Sequence, residues 1–148
     1  MDHLSGWLRS KNEYVVQFAL KLADIYRQME VHDIVAECLQ SANEKIRFQS
    51  IKTLGRIADD NTNQIFIACY EHETYDNKKN ILKQLRFIGD EQCLPFLEGA
   101  LKEEDDFLKL EAARAMVAIS QSSEILSKYH EDETLLSISK QVQYEHSK

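Results

Sequence analysis

Asn43-Glu-Lys-Ile-Arg-Phe-Gln-Ser-Ile-Lys-Thr-Leu-Gly-Arg-Ile-Ala-Asp59 sets the register from which the rest of the chain can be laid out. Ile51, Leu54 and Ile57 recur at a spacing of three, so they share one face of a helix. Shifting the chain against itself by 31 positions places Leu20, Ile51, Leu82 and Ala113 in one column. Ala23, Leu54, Leu85 and Met116 form a second column, and Tyr26, Ile57, Ile88 and Ile119 a third. Core positions that return at a fixed period mean one structural unit repeated, each unit burying its apolar face on the next.

A second set of columns lies upstream in each unit. Ile34, Ile65 and Phe96 align, as do Val35, Phe66 and Leu97, then Cys38, Cys69 and Ala100, then Leu39, Tyr70 and Leu101. Their spacing of i, i+1, i+4, i+5 is again one helical face. Each unit therefore pairs a first helix, A, with a second, B. The register predicts pairs at about 31–41 with 43–58, 62–73 with 76–89, and 92–103 with 106–120, preceded by an unpaired B-like helix at about 12–28. Asn43, Asp76 and Asp105 or Asp106 stand where a side-chain oxygen can accept from the free amides of a B helix's first turn.

Composition agrees. The chain has 148 residues, 43% of them hydrophobic, with one proline and four glycines, so few breaks exist for strands or long linkers. One domain over 1–148 is the expectation: repeats at about 31–59, 62–90 and 92–120, a half repeat at 4–28 and a cap at 121–148. A formal charge of −7 lacks the basic field that general nucleic-acid binding needs. No apolar run is long enough to span a membrane, and Met1-Asp2-His3 lacks the features of a signal peptide; a cytoplasmic chain is expected. Cys38, Cys69 and Cys93 show no CxxC spacing and read as buried structural thiols.

Asn43–Asp59 and Cys93-Leu-Pro-Phe-Leu-Glu-Gly-Ala-Leu-Lys-Glu-Glu-Asp-Asp-Phe-Leu-Lys-Leu-Glu-Ala-Ala-Arg-Ala-Met116 resemble HEAT repeats, best the short, phycobilisome-lyase-like subtype. The resemblance covers roughly 12–120 and rests on the B-helix order of an apolar residue, Arg, small residues, then Leu-Gly-x-Ile. The middle unit departs from it, with Asn77-Lys78 for the apolar-Arg pair and Arg86 where Gly55 stands. It implies an all-α, right-handed α-α superhelix of about three helix pairs, an unpaired N-terminal helix and a degenerate C-terminal cap. It also implies that B helices line a concave face, and that Arg47, Lys78 and Lys109 make a structural ladder to acids such as Asp59 and Asp90.

The ends are atypical. Leu4, Trp7 and Leu8 look like a fragment of an A helix, and the next helix carries Tyr14, Phe18 and Ile25 on its outer side. Two readings stand: a partner or further chain covers this end, or Leu4 to Leu8 fold back over it. At the other end Ile125, Leu126 and Tyr129, then Leu135, Leu136, Ile138 and Val142, predict two degenerate helices with a frayed tail from Tyr144.

Chemistry-bearing patterns are sparse. His3, His32, His72, His130 and His146 make no ligand spacing, and His72-Glu73 and His130-Glu131 do not occupy equivalent repeat positions, so no metal site is expected. Glu103-Glu104-Asp105-Asp106 lacks the ligand alternation of a calcium loop. Four isolated glycines make no phosphate loop, and neither catalysis nor a cofactor is expected.

What the period does organise is a basic column, Lys21, Lys52, Lys83 and Arg114, turned away from the Leu column. Lys45, Arg56, Lys79 and Arg86 flank it, with Phe48, Phe87, Phe107 and Leu110 interleaved. Cations beside aromatics have the composition of an interface, although solvated helix faces hold the same residues. The expected function is a scaffold binding an acidic or amphipathic protein segment in a concave groove, with a further contact at the apolar N-terminal helix. The alternatives are an enzyme of the HEAT-like lyase, hydroxylase or glycosylase kind, and weak nucleic-acid binding.

Overall fold

In the computed structural model the described residues are 3–148; Met1 and Asp2, part of the tripeptide read above for export, lie outside them. The described residues are helical wherever they are regular. Helices α1 (Leu4–Leu8) and α2 (Glu13–Ile25) precede the pairs α3 (His32–Glu37) with α4 (Glu44–Arg56), α5 (Thr62–Tyr70) with α6 (Tyr75–Ile88), and α7 (Leu94–Ala100) with α8 (Asp106–Ser120); α9 (Glu133–His146) ends the chain. The A helices α3 and α7 are short and entered through 3-10 turns, Met29–Val31 and Glu91–Cys93. The chain divides into two compact units, Met1–Ile81 and Leu82–Lys148, so the first half of α6 belongs to one and the second half to the other.

Both units build their cores from the repeating columns. In the first, Leu20, Ala23, Ile51 and Leu54 are buried with Val35, Phe66, Leu39 and Tyr70. In the second, Leu82, Leu85, Ala113 and Met116 are buried with Leu97 and Leu101. The third column is less regular: Ile57 is buried but Tyr26 is exposed. Both residues directly follow the last residue of their helix, and the two segments part just beyond, where Arg27 adopts a left-handed φ of 47°.

Capping residues keep the period more strictly than the sequence pattern suggests. Asn12 accepts from the amides of Tyr14 and Val15, Asn43 from Lys45 and Ile46, and Asp105 from Phe107 and Leu108. The member for α6 is Thr74, whose Oγ1 accepts from Asn77 N at 3.4 Å, so Asp76 lies inside the first turn and is not the cap. Positions 12, 43, 74 and 105 are spaced evenly by 31. At the far end of α6, a Cβ on Gly89 would collide with the carbonyl oxygen of Leu85 and the side chain of Ile119, so this exit requires glycine.

Within the first unit, B helices meet through a consistent set of positions. Thr53 Oγ1 on α4 donates to the Leu20 carbonyl at 3.0 Å, and Arg56 Nε lies 3.1 Å from Asp24 Oδ1. Asn80 Nδ2 on α6 donates to the Phe48 carbonyl at 3.2 Å. Arg47 does form a structural contact, but its acid is Glu73, at 2.9 Å, and not Asp59. Glu73 sits just before the Thr74 cap, where Asn77 Nδ2 also reaches it at 2.6 Å, so one carboxylate joins α4 to the start of α6. Lys78 lies over the Tyr70 ring, and Lys109 approaches Asp106 of its own helix.

The chain's last residues form a 3-10 turn at Ser123–Leu126 and then the single helix α9, which is regular through His146. This replaces the two degenerate helices and frayed tail expected from the pattern. Asp132 supplies the start by accepting from Leu135 N, and the buried Ile138 and Val142 hold the helix against α8.

Candidate interaction surfaces

The predicted binding residues separate by how their own neighbours use them. On α2 and α4, Lys21, Lys45, Lys52 and Phe48 are exposed. Lys45, Phe48 and Lys52 stand at i, i+3 and i+7, so they share one face of α4. Arg56 is exposed but engaged with Asp24. Lys79, in the first half of α6, is half-buried.

In the second unit Lys83, Arg86 and Phe87 are exposed along α6, with the Arg86 guanidinium 5.8 Å from the Phe87 ring centre. Phe107 is exposed beside an open groove of about 530 Å³ between α8 and α9, and Leu110 is half-buried in its lining. Arg114 is different in kind. Its Nε and Nη2 grip Glu145 at 2.8 and 2.7 Å, and Nη1 binds Glu111 at 2.9 Å. Two carboxylates take up its fork, and Glu111 is buried. The Arg114 hydrogen bonds hold the Glu145 carboxyl far down, at about 2, and Glu145 in turn raises Arg114. The carboxylate with the displaced pKa is thus a partner in a structural ion pair.

The largest exposed apolar grouping in the first unit lies elsewhere, on α1 and α2. Tyr14, Phe18 and Ile25 are 84%, 57% and 70% exposed. With Lys21 they stand at intervals of four, three and four, a single stripe along α2. Trp7 extends it from α1, its ring 6.4 Å from that of Phe18. Leu4 and Leu8 do fold back and are buried, so α1 covers part of this end while leaving the stripe bare.

Register explains why the stripe is where it is. Thr53, Arg56 and Asn80 face the preceding B helix, and on α2 their equivalents are Leu22, Ile25 and Phe18. At these three contacts α4 and α6 use polar side chains where α2 carries apolar ones, although Phe87 of α6 is also apolar at the position of Ile25.

The cysteines are unreactive in character. Cys93 is buried and Cys38 and Cys69 half-buried, all as free thiols. Burial raises all three, Cys69 to about 11, with the Glu37 and Glu73 charges adding to the effect at Cys38 and Cys69.

One cluster went unseen in the sequence. His32, Asp33 and Asp59 come together in the first unit although 26 residues separate Asp33 from Asp59. The usable signal was the repeat itself, because His32 opens one A helix and Thr62, which also touches it, opens the next.

Among the described residues no helix is long and apolar enough to cross a membrane. No curated protein matches the chain's sequence. The family model for HEAT repeats matches residues 31–117, a stretch that runs from just before α3 into α8 and so takes in the paired helices described above. HEAT repeats are commonly protein-interaction scaffolds and typically not enzymes. With more than half its length matched and its helices recurring in the expected pairs, the chain belongs to the HEAT-repeat family.

Proposed function

We propose that this chain is a protein-binding module whose principal contact is the Tyr14, Phe18, Lys21, Ile25 stripe of α2, and that the partner is an amphipathic helix carrying an acidic residue. The observation that carries this is the exposure of Tyr14, Phe18 and Ile25 along one line of α2, with the Trp7 ring beside Phe18. Thr53, Arg56 and Asn80 are polar where they meet the preceding helix, whereas Leu22, Ile25 and Phe18 of α2 are apolar. Exposed apolar groups spaced by three and four favour a helix with the same spacing. The stripe's one charge is positive, so an acidic group opposite Lys21 is favourable, while two copies of the stripe would bring two lysines together.

Isothermal calorimetry with a synthetic amphipathic helix, leucines at three/four spacing around a central Glu, tests this. Saturable binding that is lost in Phe18→Glu and weakened in Lys21→Glu is expected. Equal affinity for all three proteins contradicts it, and concentration-dependent dimerisation without peptide would assign the stripe to a second copy.

A second surface is supported by Lys45, Phe48 and Lys52 sharing one exposed face of α4 in the first unit. These fit an acidic segment. Arg56 contributes less there, because Asp24 already engages it. Lys45→Glu with Lys52→Glu should abolish salt-sensitive binding to a poly-glutamate peptide while leaving the amphipathic helix bound.

A further inference from the structure

His32 opens α3 and is buried, with 4% of its surface exposed. Its Nδ1 lies 3.2 Å from Asp33 Oδ1 and 3.3 Å from Asp59 Oδ2, while Nε2 lies 2.7 Å from Thr62 Oγ1. An imidazole nitrogen carries at most one hydrogen, yet two carboxylates converge on this one. A neutral Nδ1–H leaves that hydrogen shared between two anions.

The hydroxyl on the other side indicates how the site can close. Thr62 Oγ1 accepts the Asp59 amide at 2.8 Å and lies 3.3 Å from Asp59 Oδ1. With Nε2–H also donating to it, both lone pairs of the hydroxyl are used and its own hydrogen goes to Asp59 Oδ1. That carboxylate oxygen further accepts the Asn61 amide at 2.8 Å, which fixes the group and leaves Oδ2 turned to the ring. In this tautomer Nδ1 presents a lone pair between two carboxylate oxygens, a position that favours a cation.

We infer that His32 Nδ1, Asp33 Oδ1 and Asp59 Oδ2 form a binding site for a divalent ion of the zinc class. Ligands bonded to tetrahedral zinc at about 2.0–2.2 Å stand roughly 3.3–3.6 Å apart, close to the two distances from Nδ1. All three ligand atoms lie within 4.8 Å of one another, and the remaining closure needs only rotation of Asp33, whose side chain is almost wholly exposed. Asp33 and Asp59 also give the ion its route in, since both are exposed while the imidazole is not. Thr62 on Nε2 is the outer-shell partner that holds a ligating ring in orientation. One nitrogen and two oxygens leave further positions for water, so the site is open.

The turn beneath the site has a structural role that the ligand set does not share. Asp90 and Cys93 repeat the relation of Asp59 and Thr62, with Cys93 Sγ 3.8 Å from Asp90 Oδ1. The register counterparts of His32 and Asp33 are Asn63 and Gln64, then Leu94 and Pro95. Only the first repeat adds an imidazole and a second carboxylate to the common turn.

The test uses tag-free chain titrated with Zn²⁺, and with Co²⁺ for its visible absorption. One ion per chain, a raised melting temperature and a shifted His32 Nδ1 resonance with Nε2 still protonated are expected. Asp33→Asn changes an exposed side chain, and Asp59→Asn retains an oxygen to accept the Asn61 amide, so both variants should fold. Each should lose at least about tenfold in affinity, on the scale of changes to a ligand's outer shell alone. Undiminished affinity in both places the ion on other histidines and overturns the proposal. Absence of binding to the wild-type chain, with His32 an imidazolium, shows that a proton closes the site and overturns it equally.

Discussion

Helices α2 and α8 are register equivalents that end differently. α8 has α9 against it: Ile138 and Val142 are buried, and Glu145 takes two of the three Arg114 nitrogens. Among the described residues α2 is covered on that side by the five-residue α1, in which Leu4 and Leu8 are buried while Tyr14, Phe18 and Ile25 stay exposed. A repeat array must be capped wherever stacking stops, and a cap with a polar outer surface keeps it soluble. α9 is such a cap, exposing Lys140, Gln141 and Gln143. The difference teaches that a bare helix face shows as a line of exposed apolar side chains, as on α2, where the outer face of α9 is polar.

The largest effect should come from breaking the capped end. Arg114→Ala leaves Glu111 buried without its cation and is expected to cost about 3 kcal/mol in urea unfolding. Acid probes the same contact more gently. Glu145 is held at about 2 against an ordinary 4.5, so its contribution is complete above about pH 4.5 and is lost as pH falls towards 2. After allowance for its partial exposure this amounts to about 1–2 kcal/mol, and the Arg114→Ala variant should lose that dependence. Unfolding curves collected between pH 6 and pH 2.5 check the sign.

Thr74→Ala should cost about 1 kcal/mol, matching Asn43→Ala, if the two are equivalent caps; Asp76→Ala should cost less. The smallest effect belongs to the bare end. Phe18→Glu places on α2 the residue that α8 carries at the same register position, Glu111, and should change stability by no more than about 0.5 kcal/mol. A loss of several kcal/mol would mean that Phe18 is part of a core.

Columns made the fold legible. Leu20, Ile51, Leu82 and Ala113 announce themselves because burial demands apolar residues at every turn of the array, and all four are buried. The caps were partly legible: an acid at Asp76 draws attention, but the strict period selects Thr74. The site was less so. Arg114 shares a column with three exposed lysines, and nothing periodic signals that Glu145, on the non-repeating α9, holds it. His32 shows no ligand spacing in the sequence because Asp59 and Thr62 lie in the entry turn of the next repeat, where stacking and not sequence proximity brings them to it.

Trp7, the chain's one tryptophan, lies beside Phe18 and reports on the α2 stripe directly. Its emission should shift to the blue and resist acrylamide quenching as the amphipathic helix is added, and should not respond in Phe18→Glu. An emission unchanged at saturating peptide, or a shift that persists in Phe18→Glu, would contradict the assignment of the α2 stripe as the interaction surface.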